Sequence, residues 1–152
     1  MLQMVGKYRL VLRDSSGAAK HEEEGRNLVT TLGEELAADR FSSVPAGSAP
    51  GYVTLGSGTT APTKADEDLE TPIAASDTAV DSEVVSDNQV ALAVEIDGPG
   101  AGSWNVNEVG IFNEADGDPD RILVARFLTE NFVVAIGDKV DVTWALEFEG
   151  ID

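Results

Sequence analysis

Cysteine is absent from this chain and histidine nearly so. The lack of cysteine excludes a disulfide framework, a thiolate nucleophile and a zinc site built on cysteine. Because most acid–base and nucleophilic mechanisms at neutral pH use an imidazole, the single histidine, His21, argues against an enzyme. Long apolar runs are also missing, and no segment approaches the roughly 18 residues of a membrane span. The first residues lack the charged and apolar regions of a secretion signal, so we expect no export by that route.

Positive charge is scarce as well. The 152 residues include 10 Lys and Arg against 28 Asp and Glu, which gives a formal net charge of −18. Nucleic acid and membrane are therefore not expected as partners, because binding to phosphates depends on Lys and Arg. Dense negative charge repels itself, and molar salt screens that repulsion. We hypothesise a protein that works in molar salt. The alternatives are an ordinary acidic protein and a nucleic-acid mimic that occupies a basic cleft.

Strict alternation of apolar and polar residues dominates the chain and predicts strands. In the cleanest case Val140, Val142, Trp144, Leu146 and Phe148 share one face. Strands are predicted at residues 5–13, 18–25, 52–56, 80–85, 89–97, 104–113, 122–128, 132–136 and 139–149. About eight strands with short, turn-rich links indicate a mainly β fold, an antiparallel, jelly-roll-like β-sandwich in one domain over residues 1–152.

One α-helix is predicted, at about residues 28–41. Asn27 is a suitable N-cap, and Leu28, Leu32 and Leu36 recur at helical spacing. Gly33 costs this helix about 1 kcal/mol relative to alanine, so packing has to compensate. Residues 66–69 are predicted to form one further helical turn.

An acidic turn near the end of the chain has the spacing that opens a calcium-binding EF-hand loop. The acids are Asp116, Asp118 and Asp120, but Arg121 and Phe127 stand where that loop needs glycine and glutamate. The EF-hand is therefore absent. A looser calcium site and a solvated hairpin turn both remain open.

A short glycine-containing loop after a predicted strand is a second candidate. Gly56 and Gly58 flank a serine, as in phosphate-binding loops, but Pro62 prevents a helix from starting where phosphate would need one. Two of the nearby acids Asp66, Asp68 and Glu70 could form the carboxyl pair of a glycosidase. With 28 acids in the chain, such pairs arise from composition alone.

The remaining candidates are His21 and the two tryptophans. His21 stands beside an acidic run and is predicted to be a surface residue. Trp144 lies on a core face, whereas Trp104 is compatible with packing or with stacking on a sugar. We therefore predict no enzyme, no catalytic, cofactor-binding or metal-ligating residue, and no cofactor.

The order of short motifs along the chain is more informative than any one of them. The motifs lie at residues 27–30, 37–41, 52–62, 65–70, 107–113, 122–127 and 140–144. Over about residues 27–148 the chain resembles small structural proteins of tailed viruses, namely tail-fibre-like, baseplate and head-decoration proteins. The stretches Leu-Gly-Ser-Gly-Thr-Thr-Ala-Pro and Glu-Val-Gly-Ile-Phe-Asn are its most specific parts. Glu67 and Asp68 depart from it, since such proteins more often carry threonine there.

The resemblance implies a non-enzymatic virion protein, found in the virion after assembly in the host cytoplasm. With the acidity, it suggests a tailed virus of a halophilic archaeon. The placements it leaves open are a capsid decoration or turret subunit and a tail-fibre or baseplate subunit. The expected partners are copies of the same chain, for example in a trimer, and virion proteins such as major capsid or tail proteins. The alternatives are a carbohydrate- or calcium-binding β-sandwich module and a carboxylate-based hydrolase.

Overall fold

The alternating segments form nine β-strands in the computed structural model, which describes residues 2–150. The strands are β1 Leu2–Arg13, β2 Ala19–Val29, β3 Tyr52–Gly56, β4 Thr78–Ala79, β5 Ser82–Ser86, β6 Gln89–Asp97, β7 Ser103–Phe112, β8 Leu123–Ala135 and β9 Lys139–Gly150. The α-helix, α1, is Thr31–Arg40, and a short 3-10 helix spans Ala74–Ser76. Within the described residues, this α-helix is neither long nor apolar enough to cross a membrane.

All nine strands belong to one antiparallel sheet that curls into a half-barrel. Their order is β4-β3-β7-β8-β2-β1-β9-β6-β5, so strands consecutive in the chain, β4 and β5, form its two edges. Strand accounts for 53% of the chain and helix for 9%. The predicted mainly β, antiparallel, sandwich-like fold with a single α-helix is therefore confirmed.

The core lies on the concave side of the curled sheet. Inward residues of most of the long strands, together with Leu36 of α1, form one apolar cluster. Trp144 of β9 is fully buried there, in edge-to-face contact with Phe127, whose ring also stacks on Tyr8. The predicted inward face of the last strand is correct, because Val140, Val142 and Leu146 are buried with Trp144.

The helix begins later than the sequence predicts, and its predicted N-cap is wrong. Leu28 and Val29 continue β2 and pair with β8, while Oδ1 of Asn27 accepts a hydrogen bond from Nε1 of Trp144 at 2.8 Å. The actual N-cap is Thr30. Its Oγ1 accepts from the backbone N–H of Gly33 at 3.0 Å. Pairing with a distant strand outweighs the helical spacing of the leucines.

Two other predicted boundaries change. The two strands predicted at 122–128 and 132–136 are one continuous strand, β8. Its pairing with β7 is irregular in the middle, where residues 129–131 lie opposite Asn107 alone. Residues 66–69 form no helical turn. They belong to a loop held by polar side chains.

Candidate functional site

A buried pair of opposite charges lies where β7 and β8 run side by side. Glu108 is fully buried and Arg126 is 2% exposed. The Nε of Arg126 donates to Oε1 of Glu108 at 2.9 Å. Buried charged groups of this kind often belong to a reaction centre.

The loop at residues 57–71 supplies further hydrogen-bond partners to both members of the pair. The Glu108 carboxylate accepts backbone N–H bonds from Gly58 at 2.7 Å, Thr71 at 2.8 Å and Glu70 at 2.9 Å. Arg126 in turn donates to the carbonyl oxygen of Thr60 at 2.8 Å. These contacts make the pair an anchor for the loop rather than a group presented to a substrate.

The two glycines of the candidate phosphate-binding loop, Gly56 and Gly58, lie against the side chain of Glu108. The N–H of Gly58 points to Glu108, and a Cβ added at Gly58 would overlap that carboxylate. A Cβ at Gly56 would lie 2.7 Å from the same side chain. Glycine is needed here because an internal carboxylate, not a phosphate, approaches the backbone.

The three acids considered as a glycosidase pair also bind their own loop. Burial would raise the pKa of Asp66, but hydrogen bonds from Thr63 and Arg126 outweigh it and hold that pKa below its ordinary value. The hydrogen bond from Thr60 lowers the pKa of Glu70. Asp68 accepts from the N–H of Leu69 at 2.8 Å. A carboxyl group whose pKa is lowered, as in Asp66 and Glu70, is unsuited to protonating a leaving group.

The acidic turn at residues 116–120 lies beside an arginine of the chain. Arg121 lies flat over the ring of Phe112, with Cζ 3.4 Å from its centroid, and donates to Asp77 at 3.1 Å. Its Nη1 is 3.7 Å from Oδ1 of Asp116, while Asp118 accepts from the N–H of Asp120 at 2.8 Å. Positive charge thus already stands beside Asp116, which favours the solvated-turn interpretation over a calcium site.

The other candidates fall in different places. Trp144 is part of the core as predicted, and Trp104 is half-buried against that core. His21 is half-buried and not a simple surface residue. Its ring stacks on Phe132, with centroids 5.2 Å apart, and its Nε2 lies 2.9 Å from Oε2 of Glu23. Sequence reasoning missed this contact, although alternation along β2 places residues 21 and 23 on one face.

Four large apolar side chains are exposed on the edge strand β5 and just after the end of α1. They are Phe41, Val44, Val84 and Val85, which are 79%, 82%, 57% and 71% exposed. We call these four residues the edge surface. Beside it lies an apolar depression of about 200 Å³, whose lining includes Met4, Leu36, Phe41, Leu146 and Phe148.

Among the described residues, 2–150, β5 pairs with β6 alone and leaves its other side unpaired. An unpaired strand edge with exposed valines is a template for pairing with another chain, and natural proteins usually protect such edges with charge. In β5 the single charged residue is Glu83. Within residues 2–150, the edge surface thus includes a strand edge on which two valines are exposed.

Comparisons with protein-family models, with curated proteins and with solved structures find no match for this chain.

Proposed function

We propose that this protein is a non-enzymatic structural subunit of a tailed-virus particle that assembles symmetrically on the virion. The placements proposed are a capsid decoration or turret subunit first, and a tail-fibre or baseplate subunit second. A compact β fold of 152 residues, with no coiled coil or fibrous repeat in the sequence, suits a subunit that caps a lattice. Its host would be a halophilic archaeon.

The edge surface is the observation that carries this proposal. Val84 and Val85 lie on a strand that is paired on one side only, and Phe41 lines the apolar depression, whose lining also includes Glu83 of β5. Exposed apolar side chains beside a free strand edge are features of interaction sites. A second copy that pairs along β5 would bury the valines and satisfy the free backbone groups together.

The buried anchor joins the two stretches on which the resemblance to virion proteins mainly depends. Gly58 belongs to one of its two most specific stretches and Glu108 to the other, and the two residues are joined by a 2.7 Å hydrogen bond. The two stretches are thus parts of a single structural device. Such a device fixes a loop position, which is compatible with the structural role proposed here.

Net charge makes this assembly dependent on salt. Two copies that each carry a charge of −18 repel one another at low ionic strength. The Debye length falls from about 10 Å at 0.1 M salt to about 3 Å at 1 M, so apolar contacts at the edge surface would prevail only in concentrated salt.

The first experiment measures self-association. Sedimentation velocity at 0.1, 1 and 3 M KCl should show a discrete oligomer that grows in population with salt. The double variant Val84→Lys and Val85→Lys should remain monomeric in 3 M KCl, because lysine on an edge strand blocks pairing. The matched control is Val133→Lys with Ile136→Lys, which changes two exposed apolar residues outside the edge surface and should leave the oligomer intact.

A wild-type protein that stays monomeric in 3 M KCl would contradict self-assembly through this surface. Placement on the particle needs a cryo-electron microscopy map of intact virions. This chain should occupy positions that follow the symmetry of the capsid or of the tail. Its absence from purified particles would refute the viral assignment.

A further inference from the structure

An imidazole and two carboxylates converge at the gap between β2 and β8. His21 and Glu23 come from β2 and Glu130 from β8, and the possible ligand atoms of all three lie within 4.8 Å of one another. We propose that His21, Glu23 and Glu130 bind a divalent transition-metal ion of the zinc class. This site does not depend on the proposed function and was not expected from the sequence.

The local fold explains how these three side chains meet. His21 and Glu23 are two residues apart on a strand, so both side chains lie on the same face. Glu130 lies in the irregular segment of β8 where residues 129–131 oppose a single residue of β7. Such bulges re-aim a side chain and recur beside functional sites. Here the freed N–H of Glu130 donates to Oε2 of Glu23 at 3.0 Å.

The ligand set fits zinc in kind and in charge. Zinc binds imidazole nitrogen and carboxylate oxygen at about 2.0–2.2 Å, and open sites use three protein ligands with water as the fourth. Two glutamates cancel the charge of a divalent ion. In residues 2–150 neither Glu23 nor Glu130 forms an ion pair with lysine or arginine; the ion-pair partner of Glu23 is His21, itself one of the three proposed ligands.

Surrounding groups hold the ligands in place. The ring of His21 is oriented by stacking on Phe132. The hydroxyl of Tyr8 donates to Oε1 of Glu23 at 3.4 Å. Outer partners of this kind commonly tune metal affinity.

A metal ion here would join two strands that the backbone hardly connects. In residues 2–150 the ladder between β2 and β8 pairs only Leu28 with Arg126 and Val29 with Ala125, and the N–H of Thr30 donates to the carbonyl oxygen of Val124 at 3.0 Å just beyond it. From there the two strands separate, and the side chains of Glu23 and His21 reach across to Glu130 and Phe132. The ion would therefore act as a structural clasp.

Because His21 is the only histidine in the chain, one set of imidazole resonances reports on the site. A titration with zinc chloride at pH 7 in 1 M KCl, followed by long-range proton–nitrogen NMR, should move the His21 Nε2 resonance and saturate at one ion per chain. Calorimetry should give the same stoichiometry, and zinc should raise the melting temperature.

The variants test the individual ligands. His21→Ala and Glu130→Gln should each weaken zinc binding at least about tenfold, as removal of even outer partners can. Glu22→Gln and Glu24→Gln are matched controls. They remove the same charge from exposed positions on the other face of β2 and should change affinity little.

Two results would overturn the site. One is a His21 resonance that does not move in a tenfold excess of zinc, which needs only the wild-type protein. The other is zinc affinity that is equal in His21→Ala and wild type, which would assign binding to the acidic surface. Calcium should leave the His21 resonance unchanged, since calcium prefers oxygen ligands.

Discussion

At the scale of single residues, Glu108 determines where a loop of about fifteen residues lies. Its two oxygens accept bonds from Arg126 and from three backbone N–H groups, those of Gly58, Glu70 and Thr71. A buried charge is costly unless paired and hydrogen-bonded, and Glu108 is both. Loss of its charge would leave Arg126 buried with the exposed loop as its remaining partner.

We expect Glu108→Gln to lower the free energy of unfolding by about 3–5 kcal/mol, the usual cost of breaking a buried ion pair from one side. Urea denaturation in 2 M KCl measures it. Glu95→Gln is the control, because it removes the same charge from a half-exposed pair with Lys139 and should change stability little.

A double replacement by apolar residues sharpens this test. Buried ion pairs can often be exchanged for leucine and methionine without loss. Here Glu108→Leu with Arg126→Met should stay destabilised, because three backbone N–H groups of the loop lose their acceptor. Recovery of wild-type stability would show that the cost of Glu108→Gln comes from the unpaired charge of Arg126 and not from the lost hydrogen bonds to the loop.

The sequence contains a sign of this buried ion pair, but the alternation of apolar and polar residues alone does not reveal it. Glu108 precedes Val109 and Arg126 precedes Phe127, so each charge sits among residues that a strand buries. Which acid meets which base depends on the register of β7 against β8, and the bulge alters that register. For the same reason the approach of Glu130 to His21 could not be foreseen.

At the scale of elements, α1 shows how packing overrides propensity. Gly33 is buried in the first turns of the helix, and a Cβ added there would overlap the backbone carbonyl of Val124 in β8. The expectation that packing compensates for this glycine has a physical basis, since the missing side chain lets helix and strand backbones touch.

We therefore expect Gly33→Ala to destabilise the protein by about 1–3 kcal/mol, although alanine is the better helix former by about 1 kcal/mol. Thermal and urea unfolding measure the change. Gly100→Ala is the matched control, because nothing lies within 4 Å of the added Cβ; it should be neutral or slightly stabilising. A stabilised Gly33→Ala variant would mean that α1 can move away from β8.

Elements were predictable where burial is one-sided and local. β9 and β6 alternate cleanly and were placed within a residue or two. The helix start was not predictable, because Leu28 and Val29 satisfy a helical pattern and a strand pattern equally, and only pairing with β8 decides between them. The two-residue strand β4 has no periodicity to detect.

At the scale of the whole molecule, several basic residues take part in contacts that hold the fold together, whereas many acidic residues are exposed at the surface. The described arginines and lysines include several that fix the fold, such as Arg126 at the loop anchor and Arg121 over Phe112. Many acids of residues 2–150, by contrast, are exposed to solvent, for example Glu22, Glu35 and Glu67. The excess negative charge therefore opposes folding mainly through long-range repulsion, which salt can screen.

We expect the melting temperature to rise between 0.1 and 3 M KCl, with most of the rise below 1 M, where screening changes most. Salting-out of apolar groups would also stabilise, but without levelling off. The two causes are separated by a variant with Glu22, Glu24, Glu35 and Glu67 changed to glutamine, which removes four exposed negative charges. Electrostatic repulsion predicts that this variant is more stable than wild type at 0.1 M and equal to it at 3 M. A wild-type melting temperature that is flat across the whole range would refute adaptation to salt, and with it the reason for expecting assembly only in concentrated salt.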